Sequence, residues 1–301
     1  MALFRVKPWY KKKGGGVLRY YGTATVLSEK RSYLAATSAG NYALFGGGAS
    51  ASAYSGVVDA YDTSLTRTIT TALLAARAYL TATSIGNYAL FGGGYTYSGG
   101  GNQYRDTVDA YDTSLTRTIP THLAYQRLDL AATSIGNYAL FGGGAGASSS
   151  YNTVDAYDTS LTRTTPTALS EKRNRLAATS IGNCALFGGG IGASSVSYSA
   201  VVDAYDTSLT RTTPTALSEK RIALAATSVG NYALFGGGDG SGSSYYNTVD
   251  AYDTSLTRTA PTALSAVRYS LAATSIGNYA LFGGGSDGRS RVDTVDVYQV
   301  T

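Results

Sequence analysis

The octapeptide Asn-Tyr-Ala-Leu-Phe-Gly-Gly-Gly constrains this chain more than any other feature. It stands at 41–48, 87–94, 137–144, 231–238 and 278–285, and once with cysteine for tyrosine at 183–190. A short apolar run stopped by glycines reads as a strand that ends where the backbone needs freedom from Cβ. Self-similarity at a fixed period of this size signals a solenoid, propeller or array rather than unrelated domains.

One unit, taken from Arg173, contains four β segments. A first strand of small residues spans 176–180, a second 183–189, a third 201–206 and a Thr-rich fourth 209–213, with turn residues between them. A helical repeat of similar length needs two long helices per unit, and the triple glycine and the Val-Asp-Ala-Tyr-Asp run leave room for neither. Six units of four strands predict an all-β, six-bladed propeller of four-stranded antiparallel blades, with repeats starting near 31, 77, 127, 173, 221 and 268. Apart from Pro8, proline occurs only in the fourth segment (Pro120, Pro166, Pro214, Pro261), as suits an outer edge strand.

The last unit stops after its third strand, while residues 20–31 align with a fourth strand and its exit loop. The N-terminal segment is therefore expected to supply the missing outer strand, with 17–25 pairing beside 294–298 and closing the ring. With a single cysteine, Cys184, no disulfide within the chain can do so.

A glycine run after a short apolar strand, followed by Val-Asp-Ala-Tyr-Asp, resembles the kelch repeat. The likeness extends over about 17–301, and such near-identical copies also resemble kelch-type proteins of bacteria and their phages. Kelch repeats carry a tryptophan in the fourth strand where these carry Arg-Thr, as at Arg163 and Thr164, so Tyr157 and its equivalents are expected to take over that packing.

Residues 1–16 hold Arg5, Lys7, Lys11, Lys12 and Lys13, and the rest of the chain has as many acidic as basic residues. The net charge of +5 thus describes a basic arm, with Trp9 and Tyr10 beside the charges, and not a nucleic-acid-binding face. The arm is expected to dock on a protein partner or larger assembly. No run is long enough to span a membrane, and no signal peptide is expected, which is compatible with cytoplasmic synthesis and incorporation into a virion. One histidine, His122, cannot assemble a His-based metal site, and no cofactor is expected.

All length variation between units lies between the second and third strands, and a second variable place surrounds the recurring arginine between the fourth strand and the next first strand. Alternating strands bring these two loops to one face, the usual place for binding on a rigid scaffold. The 2–3 loops are rich in Tyr, Ser, Gly and Asn, the mixture of antibody loops, and Tyr54, Tyr95, Tyr97, Tyr104, Arg105, Tyr151, Tyr198, Tyr245 and Tyr246 are the ligand-binding candidates. Arg31, Arg77, Arg127, Arg173, Arg221 and Arg268 form a predicted ring with two open readings. They could engage an anion, as arginines at the corresponding position do in kelch proteins that bind acidic peptides. They could instead brace the blades against Asp59, Asp109, Asp155, Asp203, Asp250 and Asp296, which their constancy on a varying face favours.

Catalysis looks unprovided for. His122 has no obvious nucleophile partner, the His ligands of kelch-fold copper oxidases are missing, and so is the Asp-box signature of sialidase propellers. The expectation is a non-enzymatic module that recognises a surface glycan or protein through the variable face, attached by its arm to an assembly such as a phage virion. The alternative is a structural spacer or decoration protein whose loops bind nothing specific.

Overall fold

A computed structural model describes residues 24–192, 197–242 and 244–300. They form six antiparallel sheets arranged as the blades of a propeller, five of four strands and a sixth of three. The unit read from Arg173 has strands at Ala177–Ile181, Cys184–Gly188, Val202–Asp206 and Arg211–Thr212. The fourth strand is shorter than the predicted 209–213 because the preceding turn takes up more chain. Asp206 Oδ1 accepts from the amides of Ser208 and Thr210, both at 2.9 Å, and Leu209 adopts φ +63°.

Blades join through a repeated fit. The last residue of each second strand is glycine because the phenylalanine of the next blade lies over it. A Cβ on Gly46 would stand 2.7 Å from the Phe91 ring, and one on Gly142 2.7 Å from that of Phe187. Each such phenylalanine meets its own blade's tyrosine edge-on, as Phe187 does Tyr205 at 6.0 Å. That tyrosine then donates to the preceding blade's exit segment, Tyr205 to the Thr167 carbonyl at 2.7 Å. Every core cluster accordingly draws on two neighbouring blades. Burying each phenylalanine stabilises the contact by roughly 1.5–3 kcal/mol.

Among the described residues, blades 6 and 1 do not share this fit. Gly283 has only Val295 of its own blade within reach, and Gly277 has no neighbour, although Gly40, Gly86, Gly136 and Gly182 each meet a threonine of the next blade. The amide of Gly48 donates to Arg77 O, and four equivalent bonds join the later blades, but none joins Gly285 to Arg31. Ile276, Val295 and Val297 on blade 6 are more than half exposed.

The expected closure by 17–25 falls largely outside the described residues, as does the arm. Its described end is seated on blade 1 as other exit segments sit on their next blade. Tyr61 donates to Thr25 O at 2.6 Å, and Arg67 to Val26 O at 2.6 Å. No described helix is long and apolar enough to cross a membrane.

Candidate functional site

The second residue after each recurring arginine stands at the axial mouth. These six residues are Tyr33, Tyr79, Asp129, Arg175, Ala223 and Ser270, all with left-handed φ between 51° and 56°. Such a conformation is uncommon for a residue with a Cβ. A chain of main-chain bonds holds it in place: Tyr79 N donates to Tyr33 O, Asp129 N to Tyr79 O, Arg175 N to Asp129 O, Ala223 N to Arg175 O and Ser270 N to Ala223 O, at 2.8–3.3 Å. The five bonds form a belt around the mouth.

The belt encloses a cavity of about 610 Å³, walled below by leucines of the inner strands and flanked by Tyr269 and Asp239. Tyr33 and Tyr79 stack at 4.3 Å between ring centroids. Burial, with the Tyr33 hydroxyl beside it, pushes the Tyr79 phenol up to about 12. Arg175 Nε lies 3.3 Å from Asp129 Oδ2. Burial raises the Asp129 carboxyl above its ordinary value against the opposing pull of Arg175, and it does the same to Asp239. The mouth therefore gathers aromatic faces, an arginine and two carboxyl groups of raised proton affinity. A carboxyl of raised proton affinity in a cavity is the kind of group that acid–base work uses.

None of the residues singled out from sequence lines this cavity. The tyrosines of the 2–3 loops lie on the surrounding rim. Tyr54, Tyr95 and Tyr104 form one edge-to-face cluster, with centroids 5.7 and 5.6 Å apart. Tyr97, at the tip of the hairpin Tyr95–Ser98 and Gly101–Tyr104, is exposed, and Arg105 donates to Gln103 at 2.6 Å. Tyr151 stacks on Tyr125 and Tyr245 on Tyr269. Tyr198 bridges to Ile191, and Tyr246 packs over Gly240. The sequence had one signal for the cavity residues: the two positions after the arginine vary between copies, reading Ser-Tyr, Ala-Tyr, Leu-Asp, Asn-Arg, Ile-Ala and Tyr-Ser.

The six arginines have fully buried side chains. Arg77 reaches Asp109 at 2.6 Å and Arg221 reaches Asp250 at 2.6 Å. Arg173 pairs with Asp203 and also donates to Gly189 O at 3.1 Å and Phe187 O at 3.1 Å, tying the glycine run to the third strand. Burial lowers the proton affinity of the Arg77, Arg127, Arg173 and Arg221 guanidinium groups, and the paired aspartates oppose it. His122 Nδ1 stands 3.4 Å from Asp106 at the surface, and Cys184 is half-buried, its thiol pushed up by burial. Among the described residues no cluster of His, Cys, Asp or Glu is arranged to hold a metal.

Fold and site together define a six-bladed, all-β propeller with an axial cavity. A solved structure described as "Structure of YjhT" matches with a TM-score of 0.71 and 14% sequence identity, covering 91% of this chain and 96% of that one. No family model and no curated protein matches the chain.

These findings correct the expectations drawn from the kelch resemblance. With the likeness running to YjhT and no family model matching, the kelch assignment gives way to the coarser class of six-bladed propeller. The exclusion of enzymatic activity falls with it, because the absence of motifs from other propeller enzymes says nothing about a propeller of this kind whose mouth holds carboxyl groups. The non-enzymatic binding module on a phage virion, and its alternative as a structural spacer, are likewise set aside.

Proposed function

We propose that the chain binds a small polar molecule of about sugar-ring size in the axial cavity and performs acid–base chemistry on it, with Asp129 and Asp239 as the proton-handling groups. One observation carries this reading. In a chain of near-identical repeats, the copies differ at the one position where all six converge, and the residues there line the cavity. Perturbed carboxyls in a concave polar site are a mark of function. Arg175 sets the state of Asp129 by pairing with it. The rim tyrosines form the approach, since Tyr245 packs on Tyr269 of the cavity wall.

We also propose that residues 17–25 complete the sixth blade as its outer strand, that the sixth blade then docks on the first, and that 1–16 form a separate arm. Thr25 and Val26 already occupy on blade 1 the places that Thr71 and Ala72 occupy on blade 2. Asp296 is part exposed where its five equivalents are sealed.

The test is a panel of saccharides and small organic acids followed by ligand-observed NMR over time, on the parent, Ala223→Trp and Asp129→Asn. Tyr33 and Tyr79 hold large rings at the same φ, so tryptophan at 223 fills the mouth without new backbone demands. The expected result is a ligand lost on plugging, whose conversion slows at least tenfold in Asp129→Asn while binding remains, as removal of a general acid or base commonly costs about 10²–10⁴ in rate. A ligand bound and converted equally by the plugged protein overturns the reading.

A further inference from the structure

The cavity's charges do not balance. Three charged side chains face it: Asp129, Arg175 and Asp239. Arg175 is paired with Asp129, and Asp239 has no ion-pair partner among the described residues. Ile222 meets it through main-chain bonds at 2.8 Å, and the one charge that pulls on it is that of Arg175, already paired with Asp129. The remaining polar wall carries only uncharged hydroxyls, the phenols of Tyr33, Tyr79 and Tyr269 and the side chains of Thr81 and Ser270, with Tyr79 held neutral well above neutral pH. An occupant thus meets two carboxyl groups against a single guanidinium, together with aromatic faces, which attract a cation through their negative quadrupole. An anionic occupant would meet Arg175 only in competition with two carboxylates.

Resting on the axial-site reading above, we propose that the ligand is an amine-bearing molecule, a sugar-sized polar compound whose protonated amino group lies toward Asp239 and whose ring lies against Tyr33, Tyr79 and Tyr269. Arg175 then serves as a positioning residue that pairs with Asp129 and holds its carboxyl group away from the amine. A hydroxylated ring finds further donors and acceptors in Ser270 and Thr81 on the same wall.

Three probes share one ring and differ in charge: glucosamine, glucose and glucuronate. Titration calorimetry at pH 6 and low salt, where the amine is protonated, is expected to give glucosamine about tenfold tighter binding than glucose, the effect of one well-placed charge worth about 1.4 kcal/mol. Glucuronate is expected to bind most weakly. Asp239→Asn should abolish the preference for glucosamine while leaving glucose within about twofold, near the limit of a neutral surface change. Lowering the pH should remove the preference as Asp239 and Asp129 take up protons, and it should do so above the ordinary carboxylate range because burial raises both. Arg175→Gln should strengthen glucosamine binding, whereas a merely structural role for Arg175 would weaken all three probes alike.

Equal binding of the three, or glucuronate in first place, overturns the amine class and leaves the axial-site reading standing if Ala223→Trp still abolishes binding. No binding by any probe overturns the amine class, and the saccharide panel then decides the wider reading independently.

Discussion

Closure of the propeller can be tested by a disulfide whose geometry is already present at three blade junctions and nearly so at a fourth. A Cβ on Gly40 would lie 3.3 Å from the Thr113 Cβ, and the equivalents at Gly86, Gly136 and Gly182 lie 3.8, 3.7 and 3.8 Å from Thr159, Thr207 and Thr254. Disulfides join Cβ atoms about 3.5–4.5 Å apart. If blade 6 docks on blade 1 as the others dock, Gly277→Cys with Thr63→Cys should oxidise spontaneously in a Cys184→Tyr background, which uses the residue five repeats carry. The bond would close a loop of roughly 215 residues, for which chain entropy gives about 5 kcal/mol of stabilisation. The strain of a side chain at the Gly277 φ of +54° is common to oxidised and reduced forms and cancels. The oxidised protein should therefore melt on the order of 10 °C above the reduced one. Non-reducing electrophoresis and intact mass report the bond, and calorimetry reports the shift. Gly86→Cys with Thr159→Cys serves as the internal control. Oxidation of the control without the 63–277 bond would refute closure, and a ladder of linked oligomers would show that blade 6 docks on another copy instead.

Other perturbations give separate outcomes. Arg173→Ala leaves Asp203 with Arg211 and the Ser170 amide but strands the carbonyls of Gly189, Phe187 and Val201, and should cost about 3–5 kcal/mol in urea unfolding. Arg175→Ala, two residues away and mostly exposed, should cost no more than about 0.5 kcal/mol. Gly142→Ala collides with Phe187, and a closed ring makes Gly283→Ala equally costly against Phe45, whereas an open one tolerates it; thermal melting separates the two. For pH, hydrogen bonds to Ser64 and Thr66 hold Asp62 below the usual carboxylate range, so its contribution is full above the unfolded value and is lost as pH falls through the folded one. Asp129 has the opposite sign: its raised carboxyl costs stability that grows as pH rises from the unfolded value and is complete above the folded one, so Asp129→Asn should raise the denaturation midpoint at pH 7 and leave it unchanged at low pH.

The blades were legible because their physics is local. The apolar run Tyr-Ala-Leu-Phe, the glycine stop and the Asp-Thr-Ser-Leu turn each follow from neighbours in sequence. The partner of Arg173 could be named too, since an aspartate follows the valine that opens the third strand in every unit, although the 2–3 loop lets its offset from the arginine vary from 28 to 32 residues. The axial site was not legible in the same way. Tyr33 and Tyr54 are both tyrosines in variable loops, and only the left-handed turn at 33 aims one of them at the axis. The proton affinity of Asp129 depends on leucines and an arginine from other blades. Repetition also hides which blade meets which: blade 6 carries the same docking glycines as blade 2, and the sequence cannot say that Gly283 stands without its phenylalanine.

The belt at the mouth bears on how this chain can change. Its bonds run between main-chain amides and carbonyls, so it does not depend on the identity of the six side chains it carries, even where Tyr33 stacks on Tyr79 and Arg175 pairs with Asp129. Proline is barred by its missing N–H, and β-branched residues are disfavoured at positive φ; none of the six positions carries either. Every other residue type is admitted at small cost to the scaffold. Ligand preference can thus drift by single substitutions without a stabilising second mutation, and a designer has six adjacent positions on which specificity can be rewritten while the blades stay untouched.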